Sequence, residues 1–142
     1  MVKEAKIKIS SVIENLDECG LAVGEAERSS GEYSGYYHVV DGEHFITYTE
    51  GSAESYVSSE IRCFRGQVRV IRGGAVESDM LFSDTESVSL YKVGPYTFDC
   101  RVKAKKIRCE LDLCGGKIEL YYNMKIGGAD KSASMKRWIS TN

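Results

Sequence analysis

The stretch that decides the fold runs from residue 107 to residue 126 and reads IRCELDLCGGKIELYYNMKI. Apolar side chains occupy every second position on both sides of the glycine pair, which is the pattern of two strands with one buried face. Two adjacent glycines also supply the positive φ angles that a two-residue hairpin turn requires. We therefore predict an antiparallel hairpin that turns at Gly115-Gly116 and pairs Leu111 with Leu120.

The same alternation continues in the rest of the chain. Residues 96–104 show the same alternation of apolar and polar side chains. We predict a turn at Lys105-Lys106 between this segment and residue 107, where the hairpin begins. Earlier pairs such as Asp41-Gly42 and Arg65-Gly66 are typical of hairpin turns between strands. The other predicted strands cover residues 4–13, 21–28, 35–40, 43–50, 56–64, 67–72, 79–83, 86–93 and 131–139.

About ten short strands, without a sustained helical stripe or a linker, predict an all-β protein with a single domain over residues 1–142. Closing the sheet removes the exposed strand edges that an open sheet of this size would present. We therefore predict a closed or nearly closed antiparallel up-and-down β-barrel of about 8–10 strands.

Composition restricts the classes of partner. The formal net charge is −2, and a domain that binds nucleic acid through bulk charge usually has a pI above about 9. The basic run between residues 101 and 108 lacks the interleaved aromatic side chains on which bases stack. No apolar run approaches the length of a membrane helix, and the first residues lack the apolar stretch of a secretory signal. We expect a cytoplasmic protein that binds neither nucleic acid nor a membrane.

The five cysteines do not indicate a metal site. Their number is odd, none forms a C-x-x-C pair, and only two histidines are present. Structural zinc sites use closely spaced cysteine or histidine pairs at two places in the chain. We expect reduced thiols that behave as small apolar side chains, with no bound metal and no cofactor.

Five blocks of the sequence resemble one known family. They are SVIE at 11–14, YTE at 48–50, VIRGGAV at 70–76, LYK at 90–92 and YYNMKIG at 121–127. In these blocks the chain is similar to the YwiB-like family of small bacterial proteins, which belong to the calycin-like (lipocalin-like) β-barrels. The resemblance covers nearly the whole chain and implies that fold, but it implies no established reaction. Calycin-like barrels often bind apolar small molecules, so the analogy of fold implies an interior ligand.

Arg72 has the least ordinary position among the charged residues. The alternation places it on the same face as Val68 and Val70, and a buried charge needs a carboxylate, carbonyl groups or an anionic ligand. Three interpretations remain open. The side chain reaches water at the rim of the barrel, it forms a buried ion pair for which Glu50 is one possible partner, or it binds a ligand.

The chain also contains nine tyrosines. Inside a barrel a tyrosine either lines a cavity, with its hydroxyl orienting a polar group, or packs in the core as an ordinary strand former. The candidate ligand-binding residues are Arg72, Tyr48, Glu50, Tyr91 and Tyr122, and we assign no catalytic residue.

Three hypotheses for function follow. The first is a non-catalytic cytoplasmic barrel that binds a small apolar or amphipathic ligand in its interior. The alternative is a protein-interaction module with a solid core and an exposed patch formed by Tyr33, Tyr36 and Tyr37. The second alternative is an enzyme that uses Glu50 and Arg72, which requires the two side chains to converge in a cleft.

Overall fold

A computed structural model of the chain describes residues 2–52 and 54–141 and shows ten β-strands. The strands are β1 (Lys3–Asn15), β2 (Glu27–Val40), β3 (Glu43–Gly51), β4 (Tyr56–Phe64), β5 (Gln67–Gly74), β6 (Val76–Phe82), β7 (Ser87–Val93), β8 (Tyr96–Asp112), β9 (Gly115–Ile126) and β10 (Ala129–Thr141). Each strand pairs antiparallel with its neighbours in sequence, and β1 also pairs with β10, so that the sheet closes. The predicted closed up-and-down barrel is confirmed. Among the described residues, no helix is long and apolar enough to cross a membrane.

The inward-facing side chains of the strands pack together inside the barrel. On β9, Ile118 and Leu120 are fully buried, whereas Lys117 and Glu119, which alternate with them, point outward. The same alternation on the other strands builds a continuous apolar core. Its largest fully buried members are Tyr37, Phe82, Ile7, Ile46, Ile61, Ile118, Leu120 and Val68, and the charged Arg137 lies among them.

The barrel has two ends with different connections. We call the end that carries the tight turns 41–42, 65–66 and 113–114 the closed end. We call the opposite end, which carries the loop 16–26 and the turn 94–95, the open end. At Asp41-Gly42 both residues have positive φ angles, 51° and 78°, which match the right-handed twist of the flanking strands. Arg65-Gly66 has the same geometry. These two turns lie where the sequence predicts them.

The hairpin of β8 and β9 turns two residues earlier than predicted. Leu113 and Cys114 occupy the turn, and Leu111 therefore pairs with Gly116 rather than with Leu120. The predicted register was wrong, but it differs from the observed one by an even number of residues. The alternation of inward and outward side chains is therefore preserved, because only an odd slip exchanges the two faces.

The two glycines lie inside β9 for a different reason. Gly115 and Gly116 have φ angles of 112° and 141°, and a Cβ atom on either would collide with a neighbouring backbone. The obstructing carbonyl oxygens belong to Ile139 on β10 and Glu110 on β8. Glycine is thus required here for the close approach of three strands.

The predicted turn at Lys105-Lys106 was also wrong. The strand continues through these residues, and the pairing with β9 shows a β-bulge between Ala104 and Lys106. A bulge inserts one unpaired residue and breaks the alternation, as a turn would. Here the backbone N–H of Ala104 donates to the carbonyl oxygen of Ser83 at 2.9 Å. This hydrogen bond attaches the segment that follows β6 to strand β8. The basic side chains consequently lie along one strand rather than at the tip of a hairpin.

Two further predictions need correction at the open end. Residues 21–26, part of the predicted strand 21–28, form a loop in which Leu21 and Val23 are 66% and 51% exposed. Tyr96 and Phe98 follow the inward phase of β8, yet they are 65% and 38% exposed because they lie at the rim, next to the turn 94–95.

Candidate ligand-binding site

A cavity of about 290 Å³ occupies the barrel interior at the open end. Its size is close to the lower limit of about 300 Å³ for small-molecule sites. All its lining residues lie at inward-facing positions of their strands. The main apolar surfaces are those of Val70, Met80, Phe82, Met124, Ile126 and Met135.

Three of the predicted ligand-binding residues line this cavity: Arg72, Tyr91 and Tyr122. Arg72 is half-buried, and no carboxylate of the described residues lies within the 4.0 Å ion-pair distance of its guanidinium. The ion pair with Glu50, one of the three interpretations, is therefore not formed. Tyr122 packs against Phe82 with a ring-centroid distance of 4.6 Å.

A polar row crosses the inner wall at the level of Arg72. Consecutive strands β3 to β7 each contribute one residue to it, and each residue is the register partner of the next. The row consists of Tyr48, Ser59, Arg72, Ser78 and Tyr91. Ser59 is 4% exposed, and its Oγ is buried without a hydrogen-bond partner in the described part of the chain. Most buried polar groups have such a partner, so this hydroxyl requires an explanation.

Arg137 is the functional candidate that the sequence analysis missed. It lies on β10 and is only 1% exposed. Its Nε donates to the Tyr48 hydroxyl at 3.1 Å, and its Nη1 donates to Ser11 Oγ at 3.2 Å and to the carbonyl oxygen of Lys136 at 2.9 Å. All of these acceptors are neutral. Arg137 follows the inward phase of Met135, so the alternation that identified Arg72 could also have identified Arg137.

Tyr48 and Glu50 occupy different surroundings from those predicted. Tyr48 is buried, stacks on Tyr33 at a centroid distance of 5.8 Å and accepts the hydrogen bond from Arg137. It therefore positions Arg137 rather than lining the cavity itself. Glu50 is half-buried near the end of β3, and it neither lines the cavity nor forms an ion pair with Arg72 in the described structure. The convergence that the enzyme hypothesis requires is not observed.

Positive charge dominates the polar part of the site, although the chain is acidic as a whole. Lys131 lies at the mouth, where its Nζ donates to Asn15 Oδ1 at 2.6 Å, and Glu27 is the acidic residue in the cavity lining. Burial raises the pKa of Tyr122, while the positive charges of Arg72 and Arg137 act in the opposite direction. The site can therefore offer hydrogen-bond donors and positive charge beside an apolar surface. Within residues 2–52 and 54–141, no cluster of three or more histidine, cysteine or acidic side chains could hold a metal ion.

The predicted interaction patch of three tyrosines does not form. Tyr36 is 52% exposed, but Tyr37 is 1% exposed and Tyr33 stacks on Tyr48. The residues lie on one strand, and successive side chains of a strand point to opposite faces. Exposed apolar side chains also occur elsewhere on the barrel, among them Val88 and Leu90 on β7.

Comparisons with known proteins agree with the fold. The family model described as "Domain of unknown function (DUF1934)" matches residues 7–136. The uncharacterised β-barrel protein YwiB of Bacillus subtilis (strain 168) is 26% identical over 95 residues, which cover 66% of this chain and 67% of that protein.

The crystal structure of the ywiB protein from Bacillus subtilis superimposes with a TM-score of 0.79 and 23% sequence identity. The match covers 99% of this chain and 94% of that one, and it shows a shared fold. Since the family model spans most of the ten strands, the chain belongs to the DUF1934 family, in agreement with its resemblance to the YwiB-like proteins.

Proposed function

We propose that this protein binds one small apolar or amphipathic molecule inside its barrel and does not change it chemically. The cavity at the open end carries this proposal, because it combines a mainly apolar lining with Arg72, which has no acidic partner among the described residues. A barrel of this size class either fills its interior with side chains or leaves room for one ligand. In this barrel the closed end is filled and the open end is not.

Binding without catalysis fits the positions of the reactive groups. Glu50 and Arg72 form no ion pair in the described structure. His44 lies near the closed end, where its Nδ1 is 2.7 Å from the Tyr37 hydroxyl, and it does not line the cavity. General acid–base catalysis requires such a group within hydrogen-bond reach of the substrate.

Native mass spectrometry of protein purified from cells tests the proposal. We expect the wild-type protein to carry an adduct of small mass that is released by collisional activation or by organic extraction. The variant Ser78→Leu places an apolar side chain in the cavity and should lose the adduct. The matched control Glu77→Leu alters the exposed neighbour on the same strand and should retain it.

Two other results would contradict binding in the cavity. Wild-type protein without an adduct, whose amide resonances do not respond to any added apolar or amphipathic compound, would exclude the proposal. Loss of the adduct in both variants would assign the adduct to a surface rather than to the cavity.

We also infer that the protein acts in the cytoplasm. The five cysteines are free in the structure, and Cys63 and Cys100 are buried thiols. Unpaired thiols are typical of reducing compartments. Fractionation of the native cells with an antibody against the protein tests this inference, and recovery of the protein in the exported fraction would contradict it.

A further inference from the structure

We propose that the ligand is an organic monoanion whose carboxylate, or a similar acidic group, binds between Arg72 and Arg137. This inference rests on the proposed function and specifies the chemical class of the ligand. The apolar body of the molecule would lie against Phe82, Met80 and Met124, toward the open end.

Arg137 supplies the first argument. A guanidinium has five N–H donors and cannot lose its proton in a protein. The hydrogen bonds of Arg137 use Nε and Nη1, and all their acceptors are neutral, so the Nη2 donors take no part in them. Buried charges in proteins are normally paired, because desolvation of an isolated charge is very unfavourable. A buried guanidinium without a counterion is therefore incomplete until an anion binds.

The polar row supplies the second argument, which starts from Arg72 on β5 and reaches Arg137 only through Tyr48. Arg72 lines the cavity without an acidic partner among the described residues, and its register partner Ser59 has a buried hydroxyl without a hydrogen-bond partner. On the other side of Ser59 lies Tyr48, whose hydroxyl accepts the hydrogen bond from Arg137. The two arginines are thus connected through adjacent residues, with an unused hydroxyl between them.

The shape and lining of the cavity define the rest of the ligand. Two guanidinium groups and a hydroxyl suit the two oxygens of a carboxylate, because charge-assisted hydrogen bonds are the stronger class. The remaining lining is mainly apolar, with Glu27, Lys131 and serine hydroxyls as its polar members, so a small hydrophilic anion would leave most of it without contacts. A carboxylate that carries a short hydrocarbon chain would contact both the polar groups and the apolar part of the lining.

Titration of ¹⁵N-labelled protein with three matched probes tests the inference. Sodium octanoate, 1-octanol and octylammonium chloride share one hydrocarbon chain and differ in the charge of the head group. We expect octanoate to bind at least about tenfold more tightly than octanol, which corresponds to one charge-assisted hydrogen bond, and octylammonium to bind most weakly. Sodium acetate, which lacks the chain, should bind more weakly than octanoate.

Variants assign the preference to the two arginines. Arg72→Met and Arg137→Met should each lower the affinity for octanoate by about tenfold or more, while the affinity for octanol changes by less than about threefold. The matched control Arg69→Met removes an outward-facing arginine from the same strand as Arg72 and should change neither affinity. A merely structural role for Arg137 would lower both affinities together. If Arg137→Met does not fold, the half-buried Arg72 decides the test.

Two negative outcomes are distinguishable. Equal affinity for octanol and octanoate, or an octanoate preference that survives both substitutions, would overturn this inference and leave the proposed function intact. Failure of every probe to shift the resonances of the cavity residues, together with the absence of a native adduct, would overturn both.

Discussion

The two ends of the barrel interior are built from the same ten strands but treat their polar groups differently. At the closed end the Tyr37 hydroxyl donates to the carbonyl oxygen of Asp112 at 2.6 Å and lies 2.7 Å from His44 Nδ1. Burial, followed by the negative charge of Asp112, raises the pKa of Tyr37 to about 12. At the open end the guanidinium of Arg72 and the hydroxyl of Ser59 have no such partners among the described residues.

This difference indicates a division of roles between the two ends of the barrel. Folding alone favours a fully paired polar group over an unpaired one, because each buried unpaired group costs about 1–3 kcal/mol. An unpaired buried group in a native protein calls for an explanation, and functional sites are where such groups are expected. The closed end therefore contributes mainly to stability, and the open end carries the features expected of a binding site.

Truncation of one isoleucine at each end should show the largest contrast. Ile46 is fully buried between its register partners Tyr37 and Ile61, so Ile46→Ala should lower the free energy of unfolding by about 2–5 kcal/mol. Ile126 is half-buried and lines the cavity, where part of its packing is already missing. Ile126→Ala should cost about 1 kcal/mol or less. Urea denaturation measures both values, and equal losses would contradict the division.

Removal of one hydroxyl at each end gives the next largest contrast. Tyr37→Phe should lower the free energy of unfolding by about 1–3 kcal/mol, because it leaves the Asp112 carbonyl and His44 Nδ1 without their partner. The Tyr122 hydroxyl forms no hydrogen bond in the part of the chain that the structure describes. Tyr122→Phe should therefore change the free energy of unfolding by less than about 0.5 kcal/mol. The same denaturation experiment compares the pair, and a larger loss in Tyr122→Phe would show that its hydroxyl is structurally engaged.

Local pattern was enough to predict the barrel, because its causes are local. The inward phase of Ile118 and Leu120 follows from a period of two, and the turn at Asp41-Gly42 follows from the φ angles that this pair adopts. The turn before Gly115 could not be predicted. A glycine pair serves a turn or a close approach equally well, and here the contacts with Ile139 on β10 and Glu110 on β8, which the local pattern does not contain, decide between them.

The candidate site was only partly predictable for the same reason. Parity alone places Arg72 and Arg137 on the inner face, since it needs only the neighbours along the strand. Whether an inward arginine meets a carboxylate depends on the other strands at that level, and the cavity volume depends on the number and stagger of all ten. Glu50 has the correct parity, but it is the penultimate residue of β3 and lies outside the cavity lining.

Acid should weaken the closed end through His44. Burial lowers the pKa of this histidine below its ordinary value of 6.5. As the pH falls below 6.5, the unfolded chain takes up a proton that the folded protein resists, so the free energy of unfolding decreases until the folded pKa is passed. Thermal denaturation between about pH 7 and pH 5 should show a decrease that His44→Asn reduces. His38→Asn, on the outer face beside Phe45, is the control and should retain the wild-type decrease.

The smallest effect is expected in the outer wall between the two ends. Arg69 Nε and Nη2 donate to the two carboxylate oxygens of Asp79 at 2.8 and 2.6 Å, and the side chains are 40% and 47% exposed. Solvent screens such a pair, so Asp79→Asn should cost only about 0.2–1 kcal/mol. The hydrogen bond from Arg69 lowers the pKa of Asp79 below 3.8, so this contribution is fully present above about pH 3.8 and is lost as the pH falls through the folded pKa.

Urea denaturation of the wild-type protein and Asp79→Asn at about pH 7 and again at about pH 3 should therefore show a small difference that shrinks with acid. Glu77→Gln, at an exposed position on the same strand without an ion pair in the described structure, is the matched control and should show neither the difference nor its pH dependence. A loss in Asp79→Asn as large as that in Ile46→Ala would mean that charges on the wall hold the barrel together. The contrast between a packed end and an open one would then no longer explain its stability.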